Sequence, residues 1–141
     1  MSQENVEIVR SIYAEWERGD YSRAEWAHPE IEYVTADGPD AGTRCGLAAM
    51  SEGWRRFLSL WAEFHTEAEE YIALDDDRVL VLTMFGGQGK TSGLEIGHTQ
   101  AKGAAVFDLR DGKVTKLALY MEQQRALADL GLTPERESRR P

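Results

Sequence analysis

Residues 107–121 read Phe-Asp-Leu-Arg-Asp-Gly-Lys-Val-Thr-Lys-Leu-Ala-Leu-Tyr-Met, and the Asp111-Gly112 pair near their centre is the strongest local signal of structure in the chain. Both central residues of a type I′ turn need a positive φ, which Gly accepts freely and Asp tolerates. The apolar-rich runs on either side of this pair therefore predict a β-hairpin. Residues 123–131 follow the hairpin and are typical of a short helix.

The charge balance limits the partners that the protein can have. Acidic side chains (25) outnumber basic ones (16) and give a net charge of −9, which repels nucleic-acid phosphates and an anionic membrane surface. No run of about 18 apolar residues is present to span a membrane, and glutamates interrupt the first 20 residues where a signal peptide would be apolar. We therefore expect no nucleic-acid partner and no membrane partner.

The cysteine and histidine content limits the chemistry. Cys45 is the single cysteine, which rules out an internal disulfide and a cysteine-cluster metal site and fits a reducing cytoplasm. The three histidines are scattered without local spacing, so we expect no metal site. We expect a cytoplasmic protein that needs no cofactor.

The N-terminal half is predicted to be mainly helical. Apolar residues at three- and four-residue steps predict a helix that ends at Gly19. A capping box at residues 22–25 predicts a short helix over 23–27. The next segments are predicted as a strand over 31–35, a loop over 37–46, and a second long helix whose apolar period runs from Leu47 to Trp61.

The C-terminal half is predicted to be mainly strand. The predicted strands cover residues 66–74, 79–85, 94–109 (bent or bulged at Gly103) and the second arm of the hairpin. Residues 75–77 are predicted as a turn and residues 86–93 as a flexible connection. Helices segregated from a curved antiparallel sheet form an α+β fold. We expect one domain over residues 1–132 and a frayed polar tail over residues 133–141.

Several segments, in this order, resemble the SnoaL-like branch of the NTF2-like superfamily. They are residues 9–20, 28–32, 46–50, 109–114, Tyr120 and 125–132. The resemblance implies a cone, in which a curved antiparallel sheet wraps around two long helices and one short helix of the N-terminal half and a short C-terminal helix follows. It also implies a pocket at the wide end and a homodimer formed through the outer sheet face. Members of this superfamily include polyketide cyclases, ketosteroid isomerases, epoxide hydrolases and proteins with no assigned activity, so the fold alone does not give the function.

The resemblance argues against ketosteroid isomerase chemistry. That reaction needs a carboxylate base facing an oxyanion hole built from a Tyr and a protonated acid. The family pattern places these three groups near Ile12, Tyr33 and Ala105, none of which can do the required work. The interior strands also lack the Asp-Arg-Asp set of an epoxide hydrolase of this fold.

Two residues are candidates for acid–base catalysis. His98 alternates with Gln100 and Lys102 on one predicted strand, so the three share a face. If that face lines the cone, His98 can act as a general acid or base. In the other interpretation this face is exposed to solvent or lies in an interface. A row of three polar residues favours that second interpretation. Glu122 is either an acid at the pocket rim or the N-cap of the last helix.

Large aromatic side chains either fill a core or form the walls of an apolar ligand cavity. The residues that we expect to line the pocket are Tyr13, Trp16, Tyr33, Trp54, Trp61, Phe85, Gln100 and Phe107. The leading hypothesis is a protein that binds a small apolar molecule. One alternative is a cofactor-independent isomerase, cyclase or hydrolase acting on a hydrophobic polycyclic or polyketide-like substrate. The other is a non-catalytic dimerisation or binding module.

Overall fold

In the computed structural model, three helices and six strands are formed by the described residues, which are 2–20, 25–37, 41–59, 61–89 and 99–132. In chain order they are α1 (Ser2–Glu17), β1 (Ala27–Thr35), β2 (Gly42–Cys45), α2 (Leu47–Ser59), β3 (Trp61–Ala73), β4 (Arg78–Gly89), β5 (Thr99–Arg110), β6 (Lys113–Tyr120) and α3 (Gln123–Asp129). The predicted α+β class is confirmed. The predicted tail over residues 133–141 lies outside the described residues.

The six strands form one sheet in the order β2-β1-β6-β5-β4-β3. Strands β3 to β6 form the predicted antiparallel meander, whereas β1 runs parallel to β6, so the sheet is mixed rather than wholly antiparallel. No tight turn joins β1 to β6, and a hairpin is what would force two neighbours to run in opposite directions. The long intervening chain therefore leaves their relative direction to the packing of the domain.

The predicted hairpin is confirmed. Asp111 has a φ of 53° and Gly112 a φ of 80°, as a type I′ turn requires, and Arg110 pairs with Lys113 across it. The predicted end of α1 is also confirmed. Gly19 has a φ of 83°, and its N–H donates to the Trp16 carbonyl at 2.9 Å.

Two predictions in the N-terminal half are wrong in part. Of the short helix predicted over 23–27, residues 23 and 24 lie outside the described residues, and Ala27 begins β1 because it pairs with Val114 of β6. The loop predicted over 37–46 contains β2, a short edge strand in which Cys45 pairs with Glu32. In both places pairing between distant segments overrides a local turn or cap signal.

The boundary between α2 and β3 also differs from the prediction. The helix ends at Ser59, and Trp61 belongs to β3, where it pairs with Gly89. The apolar period continues to Trp61, but a short apolar stretch suits helix and strand equally. Strand β4 likewise runs through residues 86–89, which were predicted as a connection.

Gly103 is not the site of a bulge. Its pairing with Thr83 is regular, and the irregularity in β5 lies between Asp108 and Leu109. A Cβ added at Gly103 would lie 2.6 Å from the Tyr120 carbonyl oxygen and 2.9 Å from Cε1 of Phe85. This position is therefore glycine because two neighbouring groups approach the backbone closely.

The core has two parts, one on each face of the sheet. The larger lies between α1, α2 and the inner face, and it contains fully buried Tyr33 and Phe107. The smaller lies on the outer face under α3, where Leu127 packs with Leu80 and Val106. No helix within the described ranges is both long enough and apolar enough to cross a membrane. The inner face, with its two helices, holds the cavity.

Candidate functional site

A cavity of about 70 Å³ lies between α1, α2 and the inner face of the sheet. A single water needs roughly 10–15 Å³ of such space, so the cavity has room for about five waters, and because it is open on one side a larger ligand can extend beyond it. It is lined by Tyr13, Trp16, Thr35, Asp37, Trp54, Phe57, Phe64, Thr66, Thr83, Phe85, Leu119, Tyr120 and Met121.

Six of these side chains form a continuous series of ring contacts, which we call the aromatic belt: Tyr13, Trp16, Trp54, Phe57, Phe64 and Phe85. Successive ring centroids lie between 4.8 and 6.2 Å apart, mostly edge to face. Two pairs of the belt are three residues apart on α1 and on α2, a spacing that places side chains on one helix face. Each such ring pair is worth about 0.5–1.5 kcal/mol beyond burial. The belt is therefore a pre-formed apolar wall.

The polar groups of the described lining are the hydroxyls of three threonines and two tyrosines, the indole N–H groups of two tryptophans, and one carboxylate. The Thr35 hydroxyl donates to the Gly42 carbonyl at 3.3 Å. The Asp37 carboxylate accepts the backbone N–H groups of Met121 at 2.6 Å and Glu122 at 3.2 Å. Asp37 thus joins the segment after β1 to the start of α3, and its oxygens are already engaged.

Tyr120 joins the cavity to α3. Its hydroxyl donates to the Asp129 carboxylate at 3.0 Å. Burial, and then the hydrogen bond to Asp129, raise the pKa of Tyr120 above its usual value of 10.0. The phenol consequently stays protonated, as a donor, throughout the neutral range.

The structure brings four of the predicted pocket residues to the cavity: Tyr13, Trp16, Trp54 and Phe85. Tyr33 and Phe107 lie in the core behind it. The Phe107 ring packs 6.0 Å from Tyr13 and 6.3 Å from Trp16, and the Tyr33 ring lies 6.2 Å from Trp54. Both residues are fully buried, so they support the belt from outside the cavity.

The other predicted site residues are Trp61, Gln100, His98 and Glu122. Trp61 lies on β3 and Gln100 on β5, but the described part of the structure does not include their side chains, and His98 lies outside the described residues. Glu122 occupies the backbone N-cap position of α3, yet its side chain makes no capping hydrogen bond and is exposed. It follows Met121, which lines the cavity.

Several lining residues were missed by sequence reasoning. Phe64 lies in residues 62–65, between the predicted second helix and the strand predicted to start at Thr66. Thr83 lies within the apolar run 79–85, and a lone hydroxyl at an inward position of such a strand was an available signal. Asp37 had no sequence signal, because its contacts come from chain about 85 residues away.

The described lining of the cavity contains few groups that could take part in a reaction. Its described lining contains no Lys, Arg or His side chain, and Asp37 is the only carboxylate in it. The positions expected to carry isomerase chemistry hold buried Ile12, Tyr33 and Ala105. No three His, Cys, Asp or Glu side chains gather as a metal site within the described ranges. The site is suited to holding an apolar molecule in place.

Comparisons with solved structures show the same fold at low sequence identity. TerC, co-crystallised with polyporic acid, has a TM-score of 0.69 and 21% identity over 92% of this chain and 97% of its own. A protein of ketosteroid isomerase-like fold from Catenulispora acidiphila, in complex with trimethylamine, has a TM-score of 0.67 and 19% identity over 92% and 95%. An NTF2-like protein of unknown function from Burkholderia pseudomallei has a TM-score of 0.70 and 18% identity over 89% and 95%.

Sequence comparison gives the family. No curated protein matches the chain significantly in sequence. The family model of the SnoaL-like domain matches residues 9–117, which is most of the chain and includes the second half of α1, all of α2 and the turn of the hairpin. The chain belongs to the SnoaL-like domain family.

Proposed function

We propose that the protein binds a small, neutral, ring-containing molecule in the cavity bounded by the aromatic belt. The observation that carries this proposal is the unbroken series of six rings, joined by five ring contacts, along a cavity. The one carboxylate of its described lining, Asp37, is already hydrogen-bonded. Apolar walls with a few placed polar groups are typical of small-molecule sites. Support also comes from two relatives of the same fold that were solved with small molecules, polyporic acid and trimethylamine.

The charges at the site favour a neutral ligand over an anion. The described lining offers no basic side chain to pair with a carboxylate or phosphate, and Asp37 would repel either. The net charge of −9 acts in the same direction at longer range. A naphthalene-sized molecule of about ten non-hydrogen atoms, at roughly 0.5 kcal/mol per atom, would bind with a Kd on the order of 0.1–0.5 mM.

A calorimetric or NMR titration with naphthalene and 1-naphthoate tests this proposal. Phe64→Leu is the test variant, because Phe64 belongs to the belt. Ile72→Ala is its matched control, since Ile72 lies on the same strand, is half-buried and packs against the smaller core on the outer face. We expect Phe64→Leu to weaken naphthalene binding about three- to tenfold, Ile72→Ala to leave it unchanged, and naphthoate to bind more weakly than naphthalene. Equal losses in both variants, or tighter naphthoate binding, would contradict the proposal.

The second candidate function is a cofactor-independent enzyme of isomerase, cyclase or hydrolase type. The observation that favours it is the Asp37 carboxylate on the cavity lining. His98 and Glu122 remain the acid–base residues proposed from the sequence. An NMR assay of α-proton exchange in 2-tetralone, a small bicyclic ketone, separates the two functions. Exchange faster than in buffer, and reduced in Asp37→Asn, His98→Ala or Glu122→Gln, supports the enzyme, whereas exchange at the buffer rate supports a binding protein.

We also propose that the protein is a homodimer, formed through the outer sheet face, and that it is cytoplasmic. The family resemblance supports the dimer. The single cysteine supports the location, because Cys45 is exposed and a reducing compartment keeps such a thiol free. Light scattering at high protein concentration is expected to give twice the 15.9 kDa mass of the chain, and a monomeric mass would contradict the dimer.

A further inference from the structure

Thr83 is a largely buried residue whose hydroxyl belongs to the cavity wall. It lies on β4 and is 5% exposed. Within the described ranges of the chain, no group accepts from or donates to its hydroxyl. A valine would fill the same volume without a polar atom, and a hydroxyl that a bound ligand covers needs a hydrogen-bond partner. The cavity is where such a partner can be.

Thr66 lies beside it on the neighbouring strand. Thr66 pairs with Phe85, and Ala68 pairs with Thr83, so the two threonines lie diagonally on the same face of the β3–β4 ladder. The Thr66 hydroxyl likewise has no partner among the residues that the structure describes. Three other polar lining groups differ, because Thr35, Asp37 and Tyr120 are each hydrogen-bonded to a protein group. The β3–β4 side of the cavity thus has two hydroxyls available to a ligand.

We propose that Thr83, assisted by Thr66, is the specificity-determining residue of the cavity, and that it selects ligands whose ring carries a neutral oxygen, as in a phenol or a ketone. This inference rests on the proposed binding function and deepens it. A hydroxyl both donates and accepts, so it can pair with either kind of oxygen. An apolar ring alone would leave the Thr83 hydroxyl buried without a partner, which is the usual basis of discrimination by buried polar groups.

Matched probes and matched variants test the role of Thr83. The probes are 1-naphthol and naphthalene, which differ in one hydroxyl group. The variants are Thr83→Val, which keeps the volume and removes the hydroxyl, and Thr83→Ser, which keeps the hydroxyl. We expect the wild-type protein to bind 1-naphthol about tenfold more tightly than naphthalene. Thr83→Val should remove that preference by weakening 1-naphthol binding, and Thr83→Ser should retain it.

The outcomes separate this inference from the proposed function. If the wild-type protein binds both probes equally and Thr83→Val changes neither, the selective role of Thr83 is wrong while binding in the cavity stands. An equal loss for both probes in Thr83→Val would show a packing role and would also overturn it. If neither probe binds the wild-type protein, the proposed function fails and this inference with it. Thr66→Val is the second variant, and it should lower the preference for 1-naphthol about threefold even if Thr83→Val does not fold.

Discussion

Replacing Gly103 by alanine tests whether β4, β5 and β6 pack as tightly around the cavity as the structure shows. The new Cβ would lie 2.6 Å from the Tyr120 carbonyl oxygen, and 2.9 and 3.1 Å from two atoms of the Phe85 ring. The carbonyl oxygen belongs to the backbone of β6 and cannot move away without disturbing the neighbouring pair of Ala104 and Tyr120. The Phe85 ring lines the cavity and has space to move toward it.

Two opposing terms set the size of the effect. Overpacking of this kind costs about 1–3 kcal/mol. A Gly→Ala change at an ordinary φ raises the free energy of unfolding by about 0.4–1 kcal/mol, because it lowers the conformational entropy of the unfolded chain. The clash is with backbone at 2.6 Å, so we expect the upper part of the first range and a net loss of about 2 kcal/mol in the free energy of unfolding. For a chain of 141 residues this corresponds to a fall in Tm of roughly 5–10 °C.

Urea unfolding followed by tryptophan fluorescence, together with Tm from circular dichroism, measures this loss. Lys102→Ala is the control, because Lys102 is adjacent and exposed, and its stability should change by less than about 0.5 kcal/mol. Binding of naphthalene should weaken in Gly103→Ala as the Phe85 ring moves into the cavity. A Tm equal to or above that of the wild-type protein would refute the close packing at Gly103.

Three further predictions concern the Asp37 contacts, a half-buried carboxyl and the hairpin turn. Asp37→Ala removes the acceptor of the Met121 and Glu122 N–H groups and should cost about 1–2 kcal/mol in urea unfolding. Burial raises the pKa of Asp108. The contribution of Asp108 to the free energy of unfolding is therefore greatest at acid pH, below the pKa that Asp108 has in the unfolded state. It is lost as the pH rises through the pKa of Asp108 in the folded state. Asp108→Asn should stabilise the protein at pH 7 by at most about 1 kcal/mol, because solvent screens a half-exposed carboxyl, and the gain should disappear at acid pH. Gly112→Ala places a side chain at a φ of 80° and should cost about 1 kcal/mol.

Each of these predictions has an outcome that would contradict it. For Asp37→Ala, an unchanged urea midpoint would show that the contacts to the start of α3 carry no stability. A gain in Asp108→Asn that is the same at pH 4 and pH 7 would exclude a titration effect. For Gly112→Ala, the check is Asp111→Asn, which also suits a type I′ turn and should be neutral. Equal effects of the two turn variants would exclude a conformational cause.

The elements that could be predicted from sequence are those fixed by local chemistry. Asp111-Gly112 selects its turn because few residues accept two consecutive positive φ angles. Gly19 ends α1 because glycine readily accepts the single positive φ that follows a helix. The elements that could not be predicted depend on distant pairing. Trp61 continues an apolar helical period and is nevertheless a strand residue, because Gly89 lies opposite it. Strand β2 forms only because β1 offers it an edge.

The residues of the candidate site also fall into those that could be predicted from the sequence and those that could not. Aromatic residues on the helices, such as Trp16 and Trp54, could be assigned to the pocket because a helical period shows which face is buried. Phe107 was assigned to it as well, but period-two alternation shows which face a strand residue is on and not whether it touches a cavity or the core behind it. Asp37 could not be predicted because it acquires its position from the tertiary fold. Thr83 could have been, because it is a lone hydroxyl at an inward position of an apolar strand.

A crystal structure of the protein with 1-naphthol at saturating concentration tests the central claim most directly. We predict electron density for the naphthalene ring inside the aromatic belt, between Trp54 and Phe64, with its hydroxyl oxygen within about 3.2 Å of Oγ1 of Thr83. Density for the probe only on the outer face of the sheet, with none in the cavity, would contradict the claim that the belt forms a ligand site.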